Sequence, residues 1–217
     1  MTTREIYFKQ LELGPMQNFI YLIGDPNSRE AAVVDPGWDV PRILETLQAD
    51  GYRLAQAIVT HSHFDHVMGL GPLLDAVDMP VYANREEVPS LELDPSNLKP
   101  VEDGEVVHVG EVPITLLHTP GHTPGSQCLL VEDRLLSGDT LFIGGCGRCD
   151  LPGGDPRALF ETLTGKLKRL DDRIQLFPGH NYAPTPHSTM GEEKKRNPFL
   201  QPETVEQFLN ILGMVGR

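Results

Sequence analysis

The sequence predicts an α/β protein in which two similar halves pack through their sheets, with helices on the outer faces. Three observations carry this reading. Short apolar runs closed by glycine, proline or aspartate begin near the N-terminus, a helical apolar period follows them, and the same order of strands and then helix returns in the second half. No internal repeat, low-complexity tract or linker divides the 217 residues, so a single domain over 1–217 is expected.

Taken in order, residues 6–8, 19–23 and 31–34 are apolar runs ended by Gly14-Pro15, Gly24-Asp25-Pro26 and Asp35-Pro36-Gly37, which reads as an antiparallel meander. Over 40–47, Val40, Ile43, Leu44 and Leu47 recur at i, i+3, i+4 and i+7, so an amphipathic helix is expected to stop near Asp50-Gly51. Residues 57–59 form a buried strand that runs into Thr60-His61-Ser62-His63-Phe64-Asp65-His66. A helix over 67–77 and a strand over 80–82 follow, and 89–100 reads as an irregular crossing. Strands resume at 106–109, 114–117, 128–131 and 135–136. Asp155-Pro156 is an N-cap and first-turn pair for a helix over 156–170, with Leu159, Phe160, Leu163 and Leu167 on one face. A strand over 174–177 leads into Pro178-Gly179-His180, and 189–212 reads as helical with a break at Asn197-Pro198.

Charge excludes several functions. With 18 Lys and Arg against 31 Asp and Glu, the formal charge is −13, a field that repels a phosphate backbone and an anionic membrane surface alike. No nucleic-acid or membrane partner is expected. The opening MTTREIYFKQLEL holds no apolar run long enough for a signal-peptide core or a spanning helix. Three cysteines, Cys128, Cys146 and Cys149, are odd in number and too few for a disulfide framework. A cytoplasmic protein is the resulting expectation.

The histidines carry the chemistry. Three of the eight, with a carboxylate, fall within six residues as His61-Ser62-His63-Phe64-Asp65-His66, at the end of an apolar strand. That spacing lets His61 and His63 point one way while Asp65 and His66 take the next turn, so one loop can serve two adjacent cations. Nitrogen and oxygen donors of this kind suit Zn²⁺, and also Mn²⁺ or Fe²⁺. His122, Asp139 and His180 each lie beside glycine at a predicted strand end; alone, each would more often be a turn residue. His108, His118 and His187 sit in ordinary strand and loop sequence and read as structural.

With these residues in place, the sequence resembles the metallo-β-lactamase fold superfamily, whose signature is an HxHxDH loop followed by a separate His, Asp and His. His61, His63, Asp65, His66, His122, Asp139 and His180 match it in order. The resemblance implies an α/β fold, an αβ/βα four-layer sandwich with the metal site at one edge of the two sheets. It implies that His61, His63 and His122 hold one ion, that Asp65, His66 and His180 hold a second, and that Asp139 bridges them.

The presence of Asp139 argues against true β-lactamases, which lack a bridging Asp there, and His63 argues against flavodiiron proteins, which carry Glu. The nucleases of the fold need inserted segments for which the chain between His66 and His122 leaves little room. Residues 137–148, SGDTLFIGGCGR, are similar to glyoxalase II (hydroxyacylglutathione hydrolase), and Arg148-Cys149-Asp150-Leu151 also resembles short glyoxalase II-like proteins and persulfide dioxygenases. By that resemblance Arg148 and Tyr182 contact glutathione. Two departures stand out: the long C-terminal helical domain of glyoxalase II is missing, and Ser126 replaces a second His.

The implied chemistry is metal-dependent hydrolysis of a small thioester of acyl-glutathione type. Two divalent ions, zinc foremost with iron or manganese as alternatives, would acidify a bridging water to hydroxide and polarise the carbonyl. Asp65 and Asp139 would serve catalysis as ligands rather than as a free acid/base pair, and a thiolate leaves without a general acid. The alternative is a persulfide dioxygenase with one Fe(II) on His61, His122 and Asp139; a lactonase is a further enzyme reading, and a non-enzymatic metal-binding scaffold is disfavoured by the complete ligand set. Asp35 is either an orienting partner for a ligand histidine or a plain turn residue. Cys146-Gly147-Arg148-Cys149 has the spacing of a redox pair or half a zinc site, and Lys194-Lys195-Arg196 is a helix face or an anchor for an anionic substrate. Two ions would add about +4 locally, so the net charge does not exclude a small anionic substrate. A homodimer is left open.

Overall fold

The computed structural model describes residues 5–214. Six strands form the first sheet in chain order: β1 (Tyr7–Leu13), β2 (Asn18–Gly24), β3 (Glu30–Val34), β4 (Arg53–Ile58), β5 (Val81–Asn84) and β6 (Leu98–Val101). The first three are the expected antiparallel meander, and β3 to β6 run parallel. Parallel neighbours need a crossover. It is supplied by α1 (Val40–Ala49) before β4, and by α2 (Phe64–Val67) and α3 (Leu70–Ala76) before β5.

The second sheet begins with the antiparallel strands β7 (Val106–Val109), β8 (Val112–His118), β9 (Gln127–Val131) and β10 (Arg134–Gly138). A small hairpin of β11 (Leu141–Phe142) and β12 (Gly145–Cys146) and the helix α4 (Pro156–Phe160) intervene before β13 (Gln175–Pro178), which joins β10 in parallel. The short β14 (Ser188–Thr189), α5 (Met190–Arg196) and α6 (Val205–Ile211) complete the described chain.

Alternation along the strands builds four layers. In β2, Phe19, Tyr21 and Ile23 enter the core between the sheets, where they meet Ile114, Leu116 and Leu129, while Ile20 and Leu22 face Ile43 and Leu47 of α1. A strand covered on both sides must be apolar at every position, which is why 19–23 reads as an unbroken run. Behind the second sheet, Leu135 and Leu176 pack against Leu159, Leu163 and Phe208.

Four expectations are revised. The helix over 67–77 is two pieces, α2 and α3, because Gly69 lies so close to the Pro36 carbonyl oxygen that a side chain there would overlap it. The segment over 89–100 ends in a strand, β6, whose Lys99 and Pro100 are exposed on the sheet edge and hide its pattern. The helix over 156–170 widens after α4 into a π turn, Glu161–Lys166, and closes as a 3₁₀ turn, Leu167–Arg169. Thr162 donates to the Pro120 carbonyl and Thr164 to that of Phe160, bonds that compete with regular helix pairing. The first strand runs to Leu13 rather than residue 8, its polar Lys9, Gln10 and Glu12 breaking the apolar run at the sheet edge. The helical tail does break at Asn197, whose side chain caps the following turn through the Phe199 amide.

Candidate metal centre

Every candidate ligand follows the C-terminal end of a strand. His61, His63, Asp65 and His66 follow β4, His122 follows β8, Asp139 follows β10 and His180 follows β13. The two sheets bring these ends together at one edge, the place where open α/β sheets present functional groups. Main-chain bonds stitch the halves there: Phe19 N–H donates to the Gly179 carbonyl at 2.8 Å, and Gln127 N–H to that of Thr60 at 2.9 Å.

Two triads with no shared member result, His61, His63 and His122 in one and Asp65, His66 and His180 in the other, with the donor atoms of each within 4.8 Å of one another; Asp35, His61 and His66 also lie within that span of one another. Asp139 reaches both, its Oδ2 lying 3.6 Å from His122 Nε2 and 3.3 Å from His180 Nε2. Its Oδ1 lies 3.4 Å from His66 Nε2. The loop after β12 holds Asp139 from behind, since a Cβ on Gly147 would overlap the Asp139 carbonyl oxygen.

The hydrogen-bond network fixes the imidazole protons. Asp35 is buried and takes a left-handed φ of 52°, a conformation Asp tolerates better than most residues. Its Oδ1 accepts Thr60 N–H at 2.7 Å, and its Oδ2 accepts Thr60 Oγ1–H at 2.6 Å and His66 Nδ1–H at 2.9 Å. Having donated, Thr60 Oγ1 accepts from His61 Nδ1 at 3.1 Å. His122 Nδ1 donates to the Arg148 carbonyl at 2.6 Å and His180 Nδ1 to that of Met16 at 2.9 Å. Four imidazoles therefore send Nδ1–H outward and turn the Nε2 lone pair inward. Of these, His61 Nε2 is buried without a partner, and the Nε2 atoms of His66 and His180 face each other at 3.2 Å. Lone pairs that close repel unless a proton or a cation lies between them. The residues thus fit a cation-binding role, with Asp35 orienting His66 and Thr60 rather than serving as a third oxygen donor.

Burial and the neighbouring His66 and His122 imidazoles hold His61 well below the usual histidine range, and burial with His122 lowers His63. For His66 burial opposes the charge, but Asp139 and Asp35 outweigh it and raise the group well above that range; Asp139 similarly overcomes burial to raise His180. Burial also opposes the charge of Asp139, yet His66 and His180 outweigh it and hold the carboxyl well below its ordinary value. Protons therefore compete with a cation at His66 and His180 already above the usual histidine range, and at His61 and His63 only below it. As pH falls, metal is expected to leave the Asp65, His66, His180 triad first, which stepwise loss of bound metal in dialysis at graded pH would register; simultaneous loss would contradict it.

Tyr182 stacks on His180 with ring centroids 4.7 Å apart and is 58 % exposed, at the mouth of the site. Arg148 is also at the rim, but its guanidinium makes a two-pronged pair with Asp150 at 2.9 and 3.0 Å, so its charge is already matched and its carbonyl serves His122. Lys194 pairs with Asp172 at 2.6 Å, and Lys195 and Arg196 lie 3.7 and 3.4 Å from Glu192. That basic cluster is a helix face matched by its own acids. Cys146 and Cys149 are free thiols pushed up by burial to about 12 and about 11, far from the thiolate a redox pair needs. His118 Nε2–H donates to the Pro124 carbonyl, 2.8 Å away, and His118 is no part of either triad.

Two supporting residues escaped the sequence reading. Asn18, at the start of β2, donates to Asp65 Oδ2 at 2.9 Å and accepts from Trp38 Nε1 at 2.8 Å. Glu87, buried after β5, accepts from Ser62 N–H at 2.7 Å, Gly125 N–H at 2.8 Å and Thr123 Oγ1–H at 2.7 Å. It ties the His61–His63 loop to the His122 loop. Glu87→Gln would turn an NH₂ toward one of those donors. It is expected to weaken cation binding at the first triad by about 10- to 100-fold and leave the second unchanged, as measured by metal titration.

A four-layer sandwich with paired His/Asp triads at its edge defines a metal-binding enzyme scaffold. The sequence profile of the Metallo-beta-lactamase superfamily matches residues 13–180, and the chain belongs to that family, whose members are often hydrolases. It is 32% identical over 194 residues to the probable polyketide biosynthesis zinc-dependent hydrolase BaeB of Bacillus velezensis, covering 89% of this chain and 86% of that one. The human mitochondrial persulfide dioxygenase ETHE1 is 33% identical over 198 residues, 90% of this chain and 76% of its own. The crystal structure of ETHE1 from Myxococcus xanthus superposes with a TM-score of 0.88 at 31% identity, covering 97% of this chain and 92% of that one. A hydroxyacylglutathione hydrolase from Alkalilimnicola ehrlichii is 38% identical over 168 residues, 76% of this chain and 62% of its own.

Proposed function

We propose that the protein is a hydrolase of small thioesters, of the acyl-glutathione type, working with two divalent metal ions, zinc foremost. The observation that carries this reading is the pair of triads joined by Asp139, each with imidazole lone pairs turned inward and their protons fixed outward. Cations held there supply Lewis acidity, lowering the pKa of a water and polarising a carbonyl. The chain's own contribution is orientation and charge. Asp35 and the Met16 and Arg148 carbonyls fix His66, His180 and His122, and Asp65 and Asp139 supply the negative charge that two cations require. Tyr182, stacked on His180 at the mouth, offers a flat face and a phenol to the thiol portion. A thiolate leaves unaided, which agrees with a site whose buried carboxylates both point at imidazoles.

Metal-loaded protein is expected to cleave S-lactoylglutathione or a related thioester with two ions per chain. A metal-loaded protein inert toward a thioester panel would overturn the reading. The second reading, a persulfide dioxygenase with one Fe(II) on His61, His122 and Asp139, is favoured by the likeness to ETHE1 along nearly the whole chain. One iron per chain with oxygen uptake on glutathione persulfide would select it.

A further inference from the structure

Next to the metal centre lies a cleft of about 370 Å³ whose lining includes Ser62, Phe64, Val67, Met68, Leu91 and Leu93. Ser62 and Phe64 alternate in sequence with His61, His63 and Asp65, so the cleft adjoins the loop that carries the first triad's His61 and His63. Its floor is built in: Leu91 is buried, and Val67 and Leu93 pack against the core between the first sheet and its helices. Its rim is free, with Phe64 61 % and Met68 52 % exposed one helical turn apart. Single exposed apolar side chains need no explanation, but two on one face of an element, over an apolar floor, make a binding surface.

We propose that this cleft receives the acyl portion of the substrate and selects unbranched aliphatic acyl groups over small hydroxyacyl groups; the inference rests on the thioester-hydrolase reading. Charge decides which end of a thioester enters. The one charged lining residue is Glu92, which repels the carboxylates or phosphates of an anionic thiol carrier but leaves an alkyl chain undisturbed. Tyr182 is stacked on His180 of the second triad and is not among the cleft's lining residues, so the carrier has an aromatic face there. A lactoyl group, three carbons long and hydroxylated, would leave the apolar walls unused.

The test is a series of glutathione thioesters from acetyl through octanoyl, with S-lactoylglutathione alongside, on the zinc-loaded protein. Each methylene that enters the cleft is expected to raise kcat/KM by about fourfold. The double variant Phe64→Ser with Met68→Ser, both at exposed positions, is expected to flatten that slope. A profile independent of chain length, or a slope that survives the double variant, overturns the proposal. If no thioester is cleaved, the functional reading fails, and the cleft is decided by binding instead. S-octylglutathione is expected to shift the methyl resonance of Met68 where S-methylglutathione does not, and an unmoved Met68 resonance overturns the proposal.

Discussion

Asp139→Asn is expected to leave a folded protein that holds fewer than two metal ions per chain and loses about 10²- to 10³-fold in kcat/KM toward the thioester class proposed as substrate. The magnitude follows from position. Asp139 reaches the inward Nε2 atoms of both triads, with Oδ1 3.4 Å from His66 Nε2 and Oδ2 3.3 and 3.6 Å from the Nε2 atoms of His180 and His122. The amide keeps the shape and removes the charge, and its NH₂ would face lone pairs or cations. Elemental analysis per chain and steady-state kinetics measure the two effects. Two bound ions with turnover close to the parent would remove Asp139 from the site.

Asp35→Ala has the second largest expected effect, and it divides between stability and metal. The substitution leaves Thr60 N–H, Thr60 Oγ1–H and His66 Nδ1–H without their acceptor in a buried setting. At about 1–3 kcal/mol for each orphaned donor, partly relieved by entering water, a loss of about 3–5 kcal/mol is expected, or roughly 10 °C in Tm. His66 would also turn freely, which is expected to weaken the second triad by about 10- to 100-fold. Asp35→Asn separates the two, because its oxygen still serves one Thr60 donor while its NH₂ opposes another. Thermal melting and metal titration report them independently, and an Asp35→Ala protein that melts and loads like the parent would overturn the assignment.

The metal-capable residues were legible because their chemistry restricts their identity and their place in the fold restricts their surroundings. A ligand at a strand end needs His or Asp beside residues that turn the chain, and Thr60–His66, Gly121-His122, Gly138-Asp139 and Gly179-His180 all have that form. Asp35 was half legible, since an Asp before Pro-Gly serves a turn whether or not a histidine lies behind it. Glu87 and Asn18 were not legible at all. Their roles exist only once β5 lies beside β4 and β2 lies against the β13 end, and no local pattern encodes either meeting. The same is true of β6, an edge strand recognisable by its partner rather than by its own residues.

The bridge between Asn18 and His180 also has a consequence for how the protein is made. His180 Nδ1 is held by the Met16 carbonyl, and Asn181 N–H donates to the carbonyl of Gln17 at 2.8 Å, so residues synthesised first form the wall for a ligand synthesised near the end. A nascent chain can pair its early strands as they emerge from the ribosome. It cannot assemble the second triad until β13 has followed. Completion of the second triad is therefore a late step of biosynthesis, and a chain released before β13 would carry His61, His63 and His122 with no second triad to share Asp139.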